Sequence, residues 1–253
     1  GAPQQRYRSI IVGGTNGKGT TASLLASLLH QAGRRVGLYT SPHLHTQRER
    51  IQVDGRLFDR DRWAGAISHL YDHSRGFEQA GLGDFTRYEA LTGLAAWIFA
   101  EEKVDIVVWE VGLGGRYDAA NAWDSDLALL TSISLDHTDV LGNDLIEIAA
   151  DKIDIARPQH PLFTTQAQEP EVLDFISTTC QQRGIDLHLA APTQDTTPGH
   201  HSSTYTANAG LALAAAAHLL AADYDADQAQ TLAAAHTWPG RFEQAGDTPF
   251  TLL

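Results

Sequence analysis

Short apolar runs alternate along the chain with longer stretches in which apolar residues return every three or four positions. The runs Ser9–Val12, Val36–Tyr39, Asp105–Trp109, Leu127–Ser132 and Pro161–Thr164 predict buried strands. Helical spacing occupies Lys18–Ala32, Arg60–Tyr71, Thr86–Ala100, Leu145–Ala149 and Glu171–Arg183. Strands alternating with helices imply parallel βαβ units, so the expected fold class is α/β, a mostly parallel sheet flanked by helices. The stretch from Ala190 to Ser203 is rich in Thr, Pro, Gly and His and reads as a loop. Alanine-rich helices are expected after it, at Ala207–Ala222 and Asp225–Ala235. No internal repeat and no second domain of convincing size emerges from the pattern.

One loop changes the picture. Gly14-Thr15-Asn16-Gly17-Lys18-Gly19-Thr20-Thr21 lies directly between the apolar run Ile10-Ile11-Val12 and the helical pattern Leu24, Leu25, Leu28, Leu29. A strand, a glycine loop and a helix in that order present backbone N–H groups and a helix N-terminus to a polyanion, and Lys18 adds a full positive charge. The loop is a variant: the strict P-loop pattern has glycine where Val12 stands and Ser or Thr where Gly19 stands. A glycine-rich turn before a helix is by itself an ordinary tight connection. Lys18, Thr20 and Thr21 in this setting turn the reading toward a nucleotide triphosphate.

Composition narrows the partners. The 253 residues are 43% hydrophobic and carry a formal charge of −13, with lysine only at positions 18, 103 and 152. Such a balance argues against a broad nucleic-acid surface and against docking on anionic membrane, since both rely on clustered Lys and Arg. A bound nucleotide must be held by local positive groups. No stretch is read as approaching the ~20 apolar residues of a membrane span, and the amino end has no charged-then-apolar signal segment, so a cytoplasmic monomer is expected. The single cysteine, Cys180, excludes an internal disulfide and falls on an amphipathic pattern that predicts a packed thiol. The pair His200-His201 lacks a third ligand nearby and reads as solvated loop. The chain holds no methionine, even at position 1, which leads to the expectation that residues are missing.

Four further segments follow expected strands. Tyr39-Thr-Ser-Pro-His-Leu44 runs into Arg48-Glu-Arg-Ile51; Glu110-Val-Gly-Leu-Gly-Gly-Arg116 and Leu135-Asp-His-Thr-Asp-Val-Leu-Gly142 come after the next two strands; Lys152 lies ten residues beyond Gly142. Singly, Ser41-Pro42 is a turn, Glu110 a strand end, His137 a loop hydrogen-bonder and Lys152 a surface charge. Their joint order, each at a strand's carboxyl end, matches the edge where open α/β sheets gather ligands.

With these segments in place the chain resembles the folylpolyglutamate synthase and dihydrofolate synthase group of the Mur ligase superfamily. GTNGKGTT, SPHL, ERI, EVGLGGRYDAAN and LDHTDVLG stand almost as that group writes them. The resemblance implies a P-loop NTPase-like central domain of Mur ligase type and ATP-dependent formation of an amide through an acyl phosphate. Glutamate would be the amine, and a folate or dihydropteroate the carboxylate. It implies ATP held by Gly14, Thr15, Asn16, Gly17, Lys18, Gly19, Thr20 and Thr21. Magnesium would be ligated by Ser41, Glu110 and His137, and by Lys152 as a carbamate. It further implies an adenine contact from Asn208 and a phosphate contact from Arg241 in Trp238-Pro-Gly-Arg-Phe-Glu243. Lys18, His137, Lys152 and Arg241 become the expected catalytic groups, and Pro42, His43, Arg50 and Arg116 the substrate contacts. Residues 1–245 are then expected to form the ATP-binding domain, with 246–253 opening a further domain. Two alternatives remain at this stage: another Mur-type amino-acid ligase, and an ATP-binding module without ligase activity.

Overall fold

The structure is a computed structural model and describes residues 2–79, 81, 83–194 and 203–240. Its strands are β1 (Arg8–Gly13), β2 (Val36–Tyr39), β3 (Ile51–Val53), β4 (Arg56–Leu57), β5 (Ile106–Glu110), β6 (Leu127–Leu130), β7 (Pro161–Thr165) and β8 (Asp186–Ala190). The helices are α1 (Lys18–Gln31), α2 (Arg60–Gln79), α3 (Arg87–Glu101), α4 (Thr138–Leu141), α5 (Leu145–Lys152), α6 (Pro170–Arg183), α7 (Ser203–Leu220) and α8 (Ala226–Ala235). The strands form one sheet in the order β4-β3-β2-β5-β1-β6-β7-β8. All neighbours from β2 to β8 are parallel, and the β3–β4 hairpin adds two antiparallel strands at one edge.

Strand alternation divides the core between two faces. Ile10, Val12, Ile106 and Val108 point toward α1, α7 and α8, where Leu24, Leu25, Leu28, Ala209, Ala212 and Ala216 meet them. On the opposite face Val107 and Trp109 pack on α3 through Leu94, Ile98 and Phe99. Beside them Ile11, Ala128 and Leu130 pack on α5, the turn after it and α6 through Ile148, Ile153 and Ile176. Burial on both faces is why these strands read as continuous apolar runs. Cys180 is buried in the α6 layer, as its pattern predicts.

Several elements differ from the sequence reading, among them the four-residue α4. Ile51–Leu57 folds as a hairpin whose turn, Asp54-Gly55, has φ of 52° and 70°, the pairing that two-residue hairpin loops favour. Asp186–Ala190 adds β8 beside β7. A further difference concerns α7, which with the turn after it is long and apolar enough to cross a membrane by length and composition. It is a core helix: Leu211, Ala212, Ala215 and Ala216 are fully buried against α1 and the sheet. His200, His201 and Arg241 lie outside the described residues.

Candidate functional site

The site begins where the central strand stops. β1 delivers Gly14 with φ of 129°, and a Cβ there would lie 2.0 Å from Thr131 Oγ1. Only glycine passes so close to the end of β6. The loop is stitched to the chain leaving β6: Thr15 N donates to Ser132 O at 3.0 Å, Thr15 Oγ1 to Ser134 O at 3.2 Å, and Asn16 Nδ2 to Ser134 Oγ at 3.1 Å. Gly17, with φ of 85°, precedes α1, and the space its Cβ would take is filled by Asn208 Nδ2 at 2.0 Å. Asn208, expected beside adenine, is therefore buried directly against the loop.

Two lysines meet at one carbonyl. Lys18 Nζ donates to Gly14 O at 3.1 Å and to Thr15 O at 3.0 Å, and Lys152 Nζ reaches the same Gly14 O at 3.0 Å from the end of α5. Lys152 is only 3% exposed. Burial and then the nearby Lys18 charge pull its ammonium down to about 8, against the pull of Asp151 and Asp136. The Gly114-Gly115 turn packs on this helix end, since Cβ atoms there would sit 2.6 Å from Asp151 Oδ2 and 2.8 Å from Lys152 Cα. Arg116 pairs with Asp154, which also binds Arg183 at 2.5 Å. The guanidinium expected at substrate thus shares an ion network with Asp154 and Arg183.

β5 ends in Glu110, a carboxylate 2% exposed beside the loop helix. Ser41 N donates to Glu110 Oε2 at 2.7 Å, which draws the segment after β2 onto the end of β5. Glu49 organises the rest of that segment by accepting from Leu44 N at 2.7 Å, His45 N at 2.9 Å and Thr46 N at 2.7 Å. These amides hold its carboxyl below the usual range. His43 and Arg50, expected substrate contacts, bind each other, Arg50 Nε to His43 Nδ1 at 2.9 Å. A cleft of about 1110 Å³ opens here, lined by Gly19, Ser41, Pro42, Leu44, Glu110 and Trp238 among others.

The structure unites some expected residues and leaves others apart. Gly14 through Gly19, Lys152, Asn208, Glu110 and Ser41 share the carboxyl edge of the sheet around the loop. Thr21 is fully buried, and its hydroxyl has no hydrogen-bond partner among the described residues; the Thr20 carbonyl accepts from Ser23 Oγ. His137 precedes α4 with φ of 48°, and its ring, more than half exposed, lies 3.6 Å from Asp136. Among the described residues no group of three or more His, Cys, Asp and Glu side chains is arranged to hold a metal. Sequence reasoning missed Asp118. It accepts from Gly112 N, Leu113 N and Ala120 N at 2.8–3.1 Å and from the Tyr88 hydroxyl at 3.2 Å, fixing the turn that follows Glu110. Burial raises its carboxyl against those hydrogen bonds. Its signal was local, an Asp whose side chain caps the residue two positions on.

A glycine loop on a central parallel strand, crowned by two lysines and a buried carboxylate, defines a nucleotide-binding α/β protein. No family model matches the chain. The dihydrofolate synthase/folylpolyglutamate synthase of Bacillus subtilis is 40% identical over 177 residues, 70% of this chain and 41% of that protein. A Mycobacterium tuberculosis folylpolyglutamate synthase complexed with ADP and AMPPCP superposes with a TM-score of 0.89 at 30% identity, covering 98% of this chain and 62% of that one. A folylpolyglutamate synthase complex with AMPPCP and folate gives 0.89 at 28% identity, over 98% and 67% of the two chains. The chain belongs to the folylpolyglutamate synthase/dihydrofolate synthase family of Mur ligases. It spans about two-fifths of the length of the Bacillus subtilis relative.

Proposed function

We propose that this chain carries the nucleotide-binding site, within residues 1–245, of an ATP-dependent ligase that joins L-glutamate to a folate or to dihydropteroate. The observation that carries the proposal is the Lys18 ammonium on Gly14 O and Thr15 O at a helix N-terminus, a local positive charge suited to a triphosphate in an otherwise acidic chain. The names of the relatives and the AMPPCP, ADP and folate in the related complexes support the same assignment.

In the proposed reaction a carboxylate oxygen of the acceptor attacks the γ-phosphorus, the bond to the β–γ bridging oxygen breaks, and ADP leaves. The glutamate amine then attacks the acyl carbon, loses a proton and expels inorganic phosphate. Lys18 and the amides of the loop hold the phosphates, Arg241 offsets charge on the transferred group, and Asn208 serves the adenine side. Pro42, His43, Arg50 and Arg116 serve the acceptor. The donor set fits magnesium in that Glu110 is a buried carboxylate whose neighbour, Ser41, offers a hydroxyl, both oxygen ligands. Ser41, Glu110 and His137 would hold the ion, which when bound screens charge on the phosphate oxygens. A neutral Lys152 amine adding to carbon dioxide, with loss of a proton, would supply a further anionic oxygen ligand; an amine that titrates near 8 is suited to that addition.

The protein is proposed to act as a cytoplasmic monomer on these small molecules. The test is calorimetric titration with ATP, together with ATP-dependent incorporation of labelled glutamate into folate and dihydropteroate, for the wild type and Lys18→Ala. Wild-type binding that is weakened by about a hundredfold in the variant is expected. Equal nucleotide affinity in the two proteins would remove the phosphate-cradle assignment.

A further inference from the structure

The segment 236–240 crosses the nucleotide loop helix and is fixed at both ends. His236 Nε2 lies 2.9 Å from Ser23 Oγ, and because that hydroxyl donates to Thr20 O the ring nitrogen is the donor. Tyr205 Oη, from α7, donates to Ala233 O at 2.6 Å just before the segment. At the other end Gly240 lies against Leu44 of the segment after β2, where a Cβ would sit 3.1 Å from Leu44 Cδ1. Between these ties the half-buried Trp238 packs against the α1–α7 core.

Its indole nitrogen has an unusual place. A Cβ built on Gly19 would lie 3.5 Å from Trp238 Nε1 and 3.3 and 3.5 Å from the two Glu110 carboxylate oxygens. The indole nitrogen and the carboxylate therefore both border Gly19, at the mouth of the loop. This is the position where the strict loop pattern carries Ser or Thr. An indole N–H is a donor only, and a packed tryptophan ordinarily finds an acceptor for it. Trp238 Nε1 makes no hydrogen bond among the described residues and, unlike the buried Trp109 Nε1, belongs to a side chain that lines the cleft with Gly19 and Glu110, where a ligand can reach it.

We propose that Trp238 is a further substrate-contacting residue, whose N–H donates to an anionic oxygen held over Gly19. Resting on the ATP-dependent ligase proposed above, that oxygen belongs either to the terminal phosphate of the nucleotide or to the acceptor carboxylate that attacks it. Both are acceptors with the same charge, and both must come together at this end of the loop. The tie of 236–240 to α1 through His236 and Ser23 fixes the donor in advance, so that little rearrangement is needed on binding.

Trp238→Phe keeps the ring packing and removes the donor. Wild type and variant are titrated by calorimetry, in magnesium buffer, with ADP, AMPPCP and folate. A contact to the terminal phosphate weakens AMPPCP about tenfold and leaves ADP unchanged; a contact to the acceptor weakens folate about tenfold and leaves both nucleotides unchanged. Either pattern supports the proposal. Equal affinities for all three ligands in the two proteins overturn it, and so does an equal loss for all three, which marks damage to packing rather than a lost donor. Failure of the wild type to bind either nucleotide would instead refute the ligase assignment itself, and Lys18→Ala in the same series separates that failure from one confined to Trp238.

Discussion

Lys152→Met tests how strongly the fold holds a charge at the glycine loop. The amine is 3% exposed and titrates at about 8 instead of 10.5, first because it is buried and second because Lys18 is close. Below pH 8 the amine is protonated in both the folded and the unfolded chain, and burying that charge costs about 3 kcal/mol. Between 8 and 10.5 the folded chain has released the proton while the unfolded chain still binds it, so stability climbs with pH. Above 10.5 the amine is neutral in both states and the cost disappears. Urea unfolding of wild type and variant at pH 7 and pH 10, in buffer free of carbon dioxide, isolates this group because other titrations are common to both proteins. The stability of the wild type relative to the variant should rise by about 2.5 kcal/mol between the two pH values. Introducing Lys18→Ala into both proteins should shrink that rise, since removing the neighbouring charge lets Lys152 hold its proton to higher pH. A difference between wild type and variant that stays constant from pH 7 to pH 10 would refute the reasoning.

Other substitutions probe the scaffold around the loop. Gly17→Ala forces a side chain into a backbone with φ of 85° and within 2.0 Å of Asn208 Nδ2, so calorimetric unfolding should show a loss of more than about 2 kcal/mol; wild-type stability would mean that the loop is not held as described. Asp118→Asn replaces an acceptor serving three amides and a hydroxyl with a group that also donates, and should cost about 2–3 kcal/mol in urea unfolding. A change within about 0.5 kcal/mol would show that the Gly112–Leu113 turn does not depend on it. Glu49→Gln should raise the hydrogen-exchange rates of the Leu44, His45 and Thr46 amides and leave those of the Gly14–Gly19 loop unchanged. Unchanged exchange at all three amides would discard Glu49 as the organiser of that segment.

Much of the fold was legible because it depends on local pattern. The runs at Ile10–Val12, Val36–Tyr39 and Leu127–Leu130 are buried on both faces, which leaves an unbroken apolar stretch, and in α1 and α3 apolar residues return every three or four positions. The β3–β4 hairpin escaped because Arg48-Glu-Arg-Ile51 draws attention as a chemical segment, although Asp54-Gly55 is a strong turn signal with Gln52–Leu57 and Val53–Arg56 paired across it. β8 escaped for a different reason. Its burial is partial at an edge, and Leu187 and Leu189 alternate with polar residues over too short a span to stand out. Apolar composition also misleads at α7, where alanine covers every side of a helix that packs closely on α1. A membrane helix and a buried helix of small residues share that composition, and only contacts distinguish them.

The site was legible in its parts and not in its joins. A strand–loop–helix reading identifies Lys18, because the lysine lies within the loop it serves, and it cannot place Lys152, which reaches Gly14 O across 138 residues of chain. No periodicity carries that distance. The same holds for Gly19, whose lack of a side chain looks like a departure from the strict loop until Glu110 and Trp238 are found on either side of it. Loop glycines 14, 17 and 19 each face a different neighbour: Thr131 just after β6, Asn208 from α7, and Glu110 with Trp238 at the cleft. The loop is therefore shaped by three separate regions of the chain, and its conformation reports whether all three are in place. A substitution at Asn208 or Thr131, far away in sequence, should disturb nucleotide binding as directly as one within the loop, because each occupies the space that a glycine leaves open.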